Sequence, residues 1–293
     1  MRAEGSAPPD RRRVIAVLAA ALVACRAGAS EAAPIGEIRF GLTPVFLNND
    51  LELLARLQSY LERATGHPVR LITRRTYQEI TALLTTRQID AAWICGYPFV
   101  THRSELQLVA VPLWRSRPLY QSYVIVGNDS EARSVADLAG GIHAFSDPDS
   151  NSGFLVTRAL LAEMGVRPEG FFARAFFTYG HRNVIRAVAS GLAGSGSVDG
   201  YVYEVMVQIE PELTGRTRVL RRSEWLAFPP VAAPRTPLDE TRLAKLAGAL
   251  LAMPADPDGH AVLAMLRLDG FAREPASLFD AIAAKVDLLA RAG

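Results

Sequence analysis

The sequence predicts an α/β fold of two lobes, each a parallel-type sheet with flanking helices, crossed twice by the backbone. Three observations carry this expectation. Short apolar runs alternate with amphipathic stretches of helical period, the alternation occurs twice, and a proline-rich return leads into C-terminal helices. In order, a strand over residues 37–42 precedes a helix over 49–64, with Leu51, Leu54, Leu57, Tyr60 and Leu61 on one face and Thr65-Gly66 as its stop. A strand over 69–73, a helix over 76–87 and a strand over 89–94 complete the first unit. Strands over 108–113 and 121–126 flank the crossing Trp114 to Tyr120. A helical turn over 135–140 and a strand over 142–145 then lead to Asp147-Pro148-Asp149-Ser150-Asn151-Ser152-Gly153. Beyond it come a helix ending at Gly165, a strand over 175–177, a helix that His181 starts and residues 184–189 carry, a thin strand over 195–198 and a helix from about Val202. The return through 228–234 feeds helices over 239–251, 258–267 and 277–290. The lobe boundaries expected from this order are 35–120 for the first part of lobe I, 121–222 for lobe II, and 223–293 for the return to lobe I.

Residues 1–25 read as an export signal. Arg11-Arg12-Arg13 precedes an apolar run too short to span a bilayer, and Leu22-Val23-Ala24-Cys25 has the form of a bacterial lipobox, which makes Cys25 the lipidated first residue of the mature chain. Cleavage after Ala27-Gly28-Ala29 is the competing reading. The net charge of +2 leaves no basic footprint for nucleic acid, so membrane contact is expected only through the lipid. With Cys25 set aside, Cys95 has no partner for an intramolecular disulfide. No cofactor loop or metal-ligand cluster is present, and a monomer is expected.

The 147–153 segment concentrates hydroxyl and amide donors at a helix N-terminus, where unpaired N–H groups and the helix dipole favour an oxyanion, and Gly153 is expected to let a ligand approach the backbone. Ser150, Asn151 and Ser152 are its candidate ligands; ordinary N-capping is the plainer reading. Ligands of such sheets lie beyond the carboxyl ends of the strands, which adds Thr43, the turn before Tyr77, and Cys95-Gly96-Tyr97.

These residues resemble the PhnD-like, phosphonate-binding family of periplasmic solute-binding proteins, over about residues 38–283. Residues 147–156 are similar to the family's D-P-x-S-x-S-G segment. Tyr77, Gly96-Tyr97, Tyr120-Gln121-Ser122, Gly180-His181, Ala189-Ser190-Gly191 and the Asp199-Gly200-Tyr201 turn match in order and spacing. The resemblance implies the two-lobed type 2 binding-protein fold with a ligand cleft between the lobes, an ABC importer's membrane permease as partner, and a small oxyanion (phosphonate, phosphite or phosphate) gripped by the segment. Ser122, His181, Asp199 and the phenols of Tyr77, Tyr97, Tyr120 and Tyr201 join the candidate shell, although tyrosines at strand ends also serve as packing. Two positions depart from the family: Gly194 stands where an acidic residue is frequent, and Asn151 replaces a frequent Thr.

Cys95 has a plain reading as core. It also resembles the cleft cysteine of arsenite-sensing periplasmic proteins of the same fold, which implies an alternative role as a sensor signalling to a membrane histidine kinase. A third reading pairs Cys95 with His181 as nucleophile and base. No third orienting group supports it, and no catalytic residue is expected.

Overall fold

The structure is a computed structural model that describes residues 36–43 and 51–292. The leader, Cys25 and both cleavage readings lie outside the described residues.

The first half supplies β1 (Ile38–Leu42), α1 (Leu51–Thr65), β2 (Val69–Thr73), α2 (Tyr77–Thr85), β3 (Ala91–Trp93), α3 (Gly96–Thr101), β4 (Leu106–Leu113), β5 (Leu119–Tyr120) and β6 (Ser122–Gly127). Then come β7 (Ile142–Phe145), α4 (Val156–Glu163), β8 (Arg174–Phe177), α5 (His181–Ala189), β9 (Ser195–Asp199) and α6 (Gly200–Ile209). The remainder is α7 (Pro211–Thr214), β10 (Thr217–Arg222), β11 (Leu226–Ala227), β12 (Val231–Pro234), α8 (Glu240–Ala252), α9 (Pro257–Leu266), β13 (Gly270–Ala272) and α10 (Asp280–Ala292).

Local chemistry explains the boundaries that matter for the site. Thr76 opens α2 with a capping box: its hydroxyl accepts from the Glu79 N–H at 3.3 Å, and the Glu79 carboxylate accepts from the Thr76 N–H at 3.0 Å. The helix therefore starts at Tyr77, one residue later than expected. Asp199 caps α6 by accepting from the Val202 N–H at 3.1 Å, which draws the helix start back to Gly200.

Two sheets form. The first runs β13-β4-β12-β3-β1-β2 and the second β10-β6-β9-β7-β8. Each is built around three parallel strands, β3-β1-β2 and β9-β7-β8, as the alternating pattern predicts. Antiparallel members complete them: β12 lies between β3 and β4, and β6 lies between β9 and β10. The sheets are thus mixed, because the strands that carry the chain between lobes enter from the opposite direction.

The two crossings bind each other. β5 pairs antiparallel with β11, and the Ser122 N–H donates to Ser223 Oγ at 2.9 Å. The C-terminal helix α10 packs on α3 beside the first sheet and on α4 beside the second. Its Lys285, 8% exposed, forms ion pairs with Glu224 on the crossing and, at 3.7 Å, with Glu163 at the end of α4. In the second lobe, His143 is buried between Ser195 and Ser197, each 2.8 Å from a ring nitrogen, and stacks on Phe172 at 4.2 Å.

Candidate ligand site between the lobes

Parallel strands deliver their carboxyl ends to one place. Leu42 and Trp93 are neighbours in register, and their strands release Thr43 and Cys95; β7 releases Ser146 and Asp147, and β9 ends at Asp199. Tyr77, Cys95, Tyr120, Asn151, Ser152, His181 and Asp199 are each at most 3% exposed.

The 150–153 segment opens with a wide turn. The Leu155 N–H reaches back five residues to the Ser150 carbonyl at 3.0 Å, and the Val156 N–H bonds the Asn151 carbonyl before α4 continues in ordinary geometry. Such expanded turns at a helix start are frequent at functional positions. Ser150 Oγ accepts from the Gly153 N–H at 2.9 Å, so Ser150 is the N-cap of the segment. Ser122 Oγ donates to the Ser152 carbonyl at 2.6 Å and anchors the same turn. A Cβ on Gly153 would collide with the Ser146 side chain. The glycine therefore makes room for Ser146, where the sequence suggested room for a ligand.

Contacts between the lobes centre on this segment. The Asn151 N–H points to Cys95 Sγ at 3.1 Å, and Asn151 Nδ2 donates to Tyr120 Oη at 2.8 Å. Asp147 Oδ2 accepts from the Tyr77 N–H at 3.3 Å, so a carboxylate of the second lobe caps α2 of the first, while its Oδ1 accepts from the Asp149 N–H at 2.8 Å. Two hydroxyls and one amide oxygen of the segment have no hydrogen-bond partner although buried: Ser146 Oγ, Ser152 Oγ and Asn151 Oδ1.

His181 illustrates how the tautomer is set. The Asp199 N–H can only donate, and it meets His181 Nδ1 at 3.1 Å. The neutral ring then carries its hydrogen on Nε2, which donates to Tyr77 Oη at 3.2 Å and leaves the tyrosine's own proton unspent. Burial pushes the His181 pKa down to about 3, so the ring stays neutral. Burial likewise raises the Cys95 thiol to about 12 and the Asp199 carboxyl to about 7. The Tyr77 and Tyr120 phenols are pushed further from ionisation, again by burial first and then by Cys95 beside them. This set offers neutral donors and no lysine or arginine.

Other candidates are placed differently. Thr43 donates its hydroxyl to the Trp93 carbonyl at 3.1 Å and ties β1 to β3. Tyr201 gives its hydroxyl to the Leu266 carbonyl and packs its ring on Phe228 and Trp114, a role in joining the lobes. Tyr97 is half-buried at the margin, near Asp149 and Arg158. Both His181 nitrogens are engaged by Asp199 and Tyr77, and Cys95 is engaged by Asn151, so the nucleophile–base pair is not formed. Asp147 and Ser146 were missed as site residues. An aspartate two residues before another acidic residue in a turn carries no sequence signal for capping a helix seventy residues earlier.

A doubled α/β unit with paired crossings and polar groups gathered at the strand ends is the architecture of the two-lobed periplasmic binding proteins. The family model for the ABC transporter phosphonate periplasmic substrate-binding protein matches residues 40–277, and the chain belongs to that family. The phosphate-import protein PhnD of Mycolicibacterium smegmatis is 26% identical over 180 residues, covering 57% of this chain and 56% of that protein, so the chain spans about half the length of this curated relative. Among solved structures, the binding-protein component of an ABC phosphonate transporter from Pseudomonas aeruginosa superposes with a TM-score of 0.79 at 21% identity, over 88% of this chain and 89% of that one. PhnD1 of Prochlorococcus marinus, in complex with methylphosphonate, gives a TM-score of 0.79 at 18% identity, over 88% and 100%. The alkanesulfonate-binding protein SsuA of Xanthomonas axonopodis pv. citri, bound to MOPS, gives 0.61 at 18% identity, over 89% and 94%. These likenesses establish the two-lobed fold. No described helix is long and apolar enough to cross a membrane.

Proposed function

We propose that the protein captures a small phosphorus oxyanion (phosphonate, phosphite or phosphate) outside the cytoplasmic membrane and presents it to the permease of an ABC importer, without catalysis. The observation that carries this reading is Ser152: its hydroxyl is buried beside the Tyr120 phenol without a hydrogen bond of ordinary geometry, in the turn whose Asn151 N–H points across to Cys95 of the opposite lobe. An oxyanion supplies the missing acceptors. The names of the relatives support the same ligand class, one being a phosphate importer and another a methylphosphonate complex. The sensor reading finds no support among the family and these relatives.

In this reading Ser152 and the segment's backbone bind the oxyanion from lobe II, and Tyr77 and Tyr120 donate from lobe I. His181 holds Tyr77 as a donor by giving it the Nε2 hydrogen, and Cys95 is a neutral wall beside the segment. Residues 35–120 with 223–293 move as one lobe and 121–222 as the other, about the paired crossings, so that ligand contacts from both sides offset the cost of ordering them. Residues 1–25 direct export and Cys25 carries the lipid anchor. The test is calorimetric titration with methylphosphonate, phosphite and phosphate, wild type against Ser152→Ala. Loss of affinity in the variant supports the assignment, and unchanged affinity removes the segment from the site.

A further inference from the structure

Asn151 is held at two points. Its N–H is directed at Cys95 Sγ on the other lobe at 3.1 Å, and its Nδ2 at Tyr120 Oη on the crossing strand β5 at 2.8 Å. Its Oδ1 shares a carbon with Nδ2, so it lies in the same layer between the lobes, and it is buried without any donor. A buried amide oxygen in that position calls for a hydrogen supplied by whatever binds there. Of the carboxyls at the site, Asp147 has both oxygens occupied by the Tyr77 and Asp149 N–H groups, and Asp199 Oδ1 accepts from the Val202 N–H as a helix cap. We propose that Asn151 selects the protonated form of the ligand: Oδ1 accepts the P–OH hydrogen of a singly protonated phosphorus oxyanion, and the site refuses sulfonates and sulfate, which carry no such hydrogen. The inference rests on the phosphorus-oxyanion reading above. It is not a property of the fold, because the alkanesulfonate-binding SsuA shares that fold.

Methylphosphonate at mildly acidic pH and methanesulfonate have closely similar shape and the same single negative charge, and apart from phosphorus in place of sulfur they differ in one hydrogen. Calorimetric titration of the wild-type protein with each should show a preference for methylphosphonate of roughly 10- to 100-fold, the effect of leaving one buried acceptor unpaired. Asn151→Thr places a rotating hydroxyl there, which can donate to a bare oxygen or accept from a protonated one. In that variant methylphosphonate should still bind while the preference shrinks to within about threefold. Asn151→Ser serves the same purpose should the threonine variant fold poorly in a thermal melt. Equal wild-type affinities would mean that the amide presents its nitrogen to the ligand, and would overturn the proposal. A preference unchanged in both variants would do the same while leaving the phosphorus-oxyanion reading intact. A wild-type protein that binds neither methylphosphonate, phosphite nor phosphate would remove that reading and this inference together.

Discussion

Ser152 and Tyr77 are two hydroxyls at this site whose hydrogens are available to a ligand, and they sit on opposite lobes. Ser152→Ala removes one donor and should weaken oxyanion binding by about 1–3 kcal/mol, read by calorimetry, with little change in folding. Tyr77→Phe should act twice. It removes a ligand donor and strands the His181 Nε2–H, so affinity falls and the denaturant midpoint drops by an amount equivalent to roughly 1–3 kcal/mol. Strand ends nominated Tyr77, the donor-rich helix start nominated Asn151 and Ser152, and the family resemblance added Tyr120, His181 and Asp199; the structure brings all six together. These signals did not separate the six from Thr43, Ser150, Ser122 and Tyr201, whose hydroxyls are engaged by backbone groups. The difference lies in which carbonyl or N–H folds back onto each side chain, and that is tertiary information.

Helix starts are the elements that build this site, and both lobes contribute to them. α2 is capped from within by Thr76 and across the interface by Asp147, whose carboxylate accepts from the Tyr77 N–H. Asp147→Ala should therefore uncap α2 and free the Asp149 turn, costing roughly 1–2 kcal/mol of stability and loosening ligand binding, measurable in paired melts and titrations. Most elements were legible because their period and stop signals are local. β2 and β7 fall where expected, and α5 begins at His181, the residue expected to start it, with Gly180 as its N-cap. The strands β10, β11, β12 and β13 were not foreseen as strands. They are short and are defined by partners far away in sequence: β12 is held by β3 and β4, and β13 by β4. The short helix α3, following Cys95, also has no apolar repeat long enough to announce it.

Across the whole molecule, buried ionisable groups tie stability to pH. His143 and His181 are each held neutral by burial, at about 3 against an ordinary 6.5, so the unfolded chain binds the extra protons and stability falls as pH drops below about 6.5. Asp199, raised from 3.8 to about 7, works the other way and loses stability as pH rises through that window. Two histidines outweigh one carboxyl, so denaturant midpoints should decline between about pH 7 and pH 5. His143→Gln, remote from the ligand site, should remove on the order of 1–2 kcal/mol of that decline; an unaltered pH profile in the variant would show that His143 is not held neutral. The joining of the lobes by paired crossings and by α10 is compatible with the proposed closure around one small anion. The most direct test is calorimetric titration of the protein with methylphosphonate, phosphite and phosphate. The account predicts one-to-one binding of at least one of them, weakened by both Ser152→Ala and Tyr77→Phe. Failure of all three to bind, or binding indifferent to both substitutions, would contradict it.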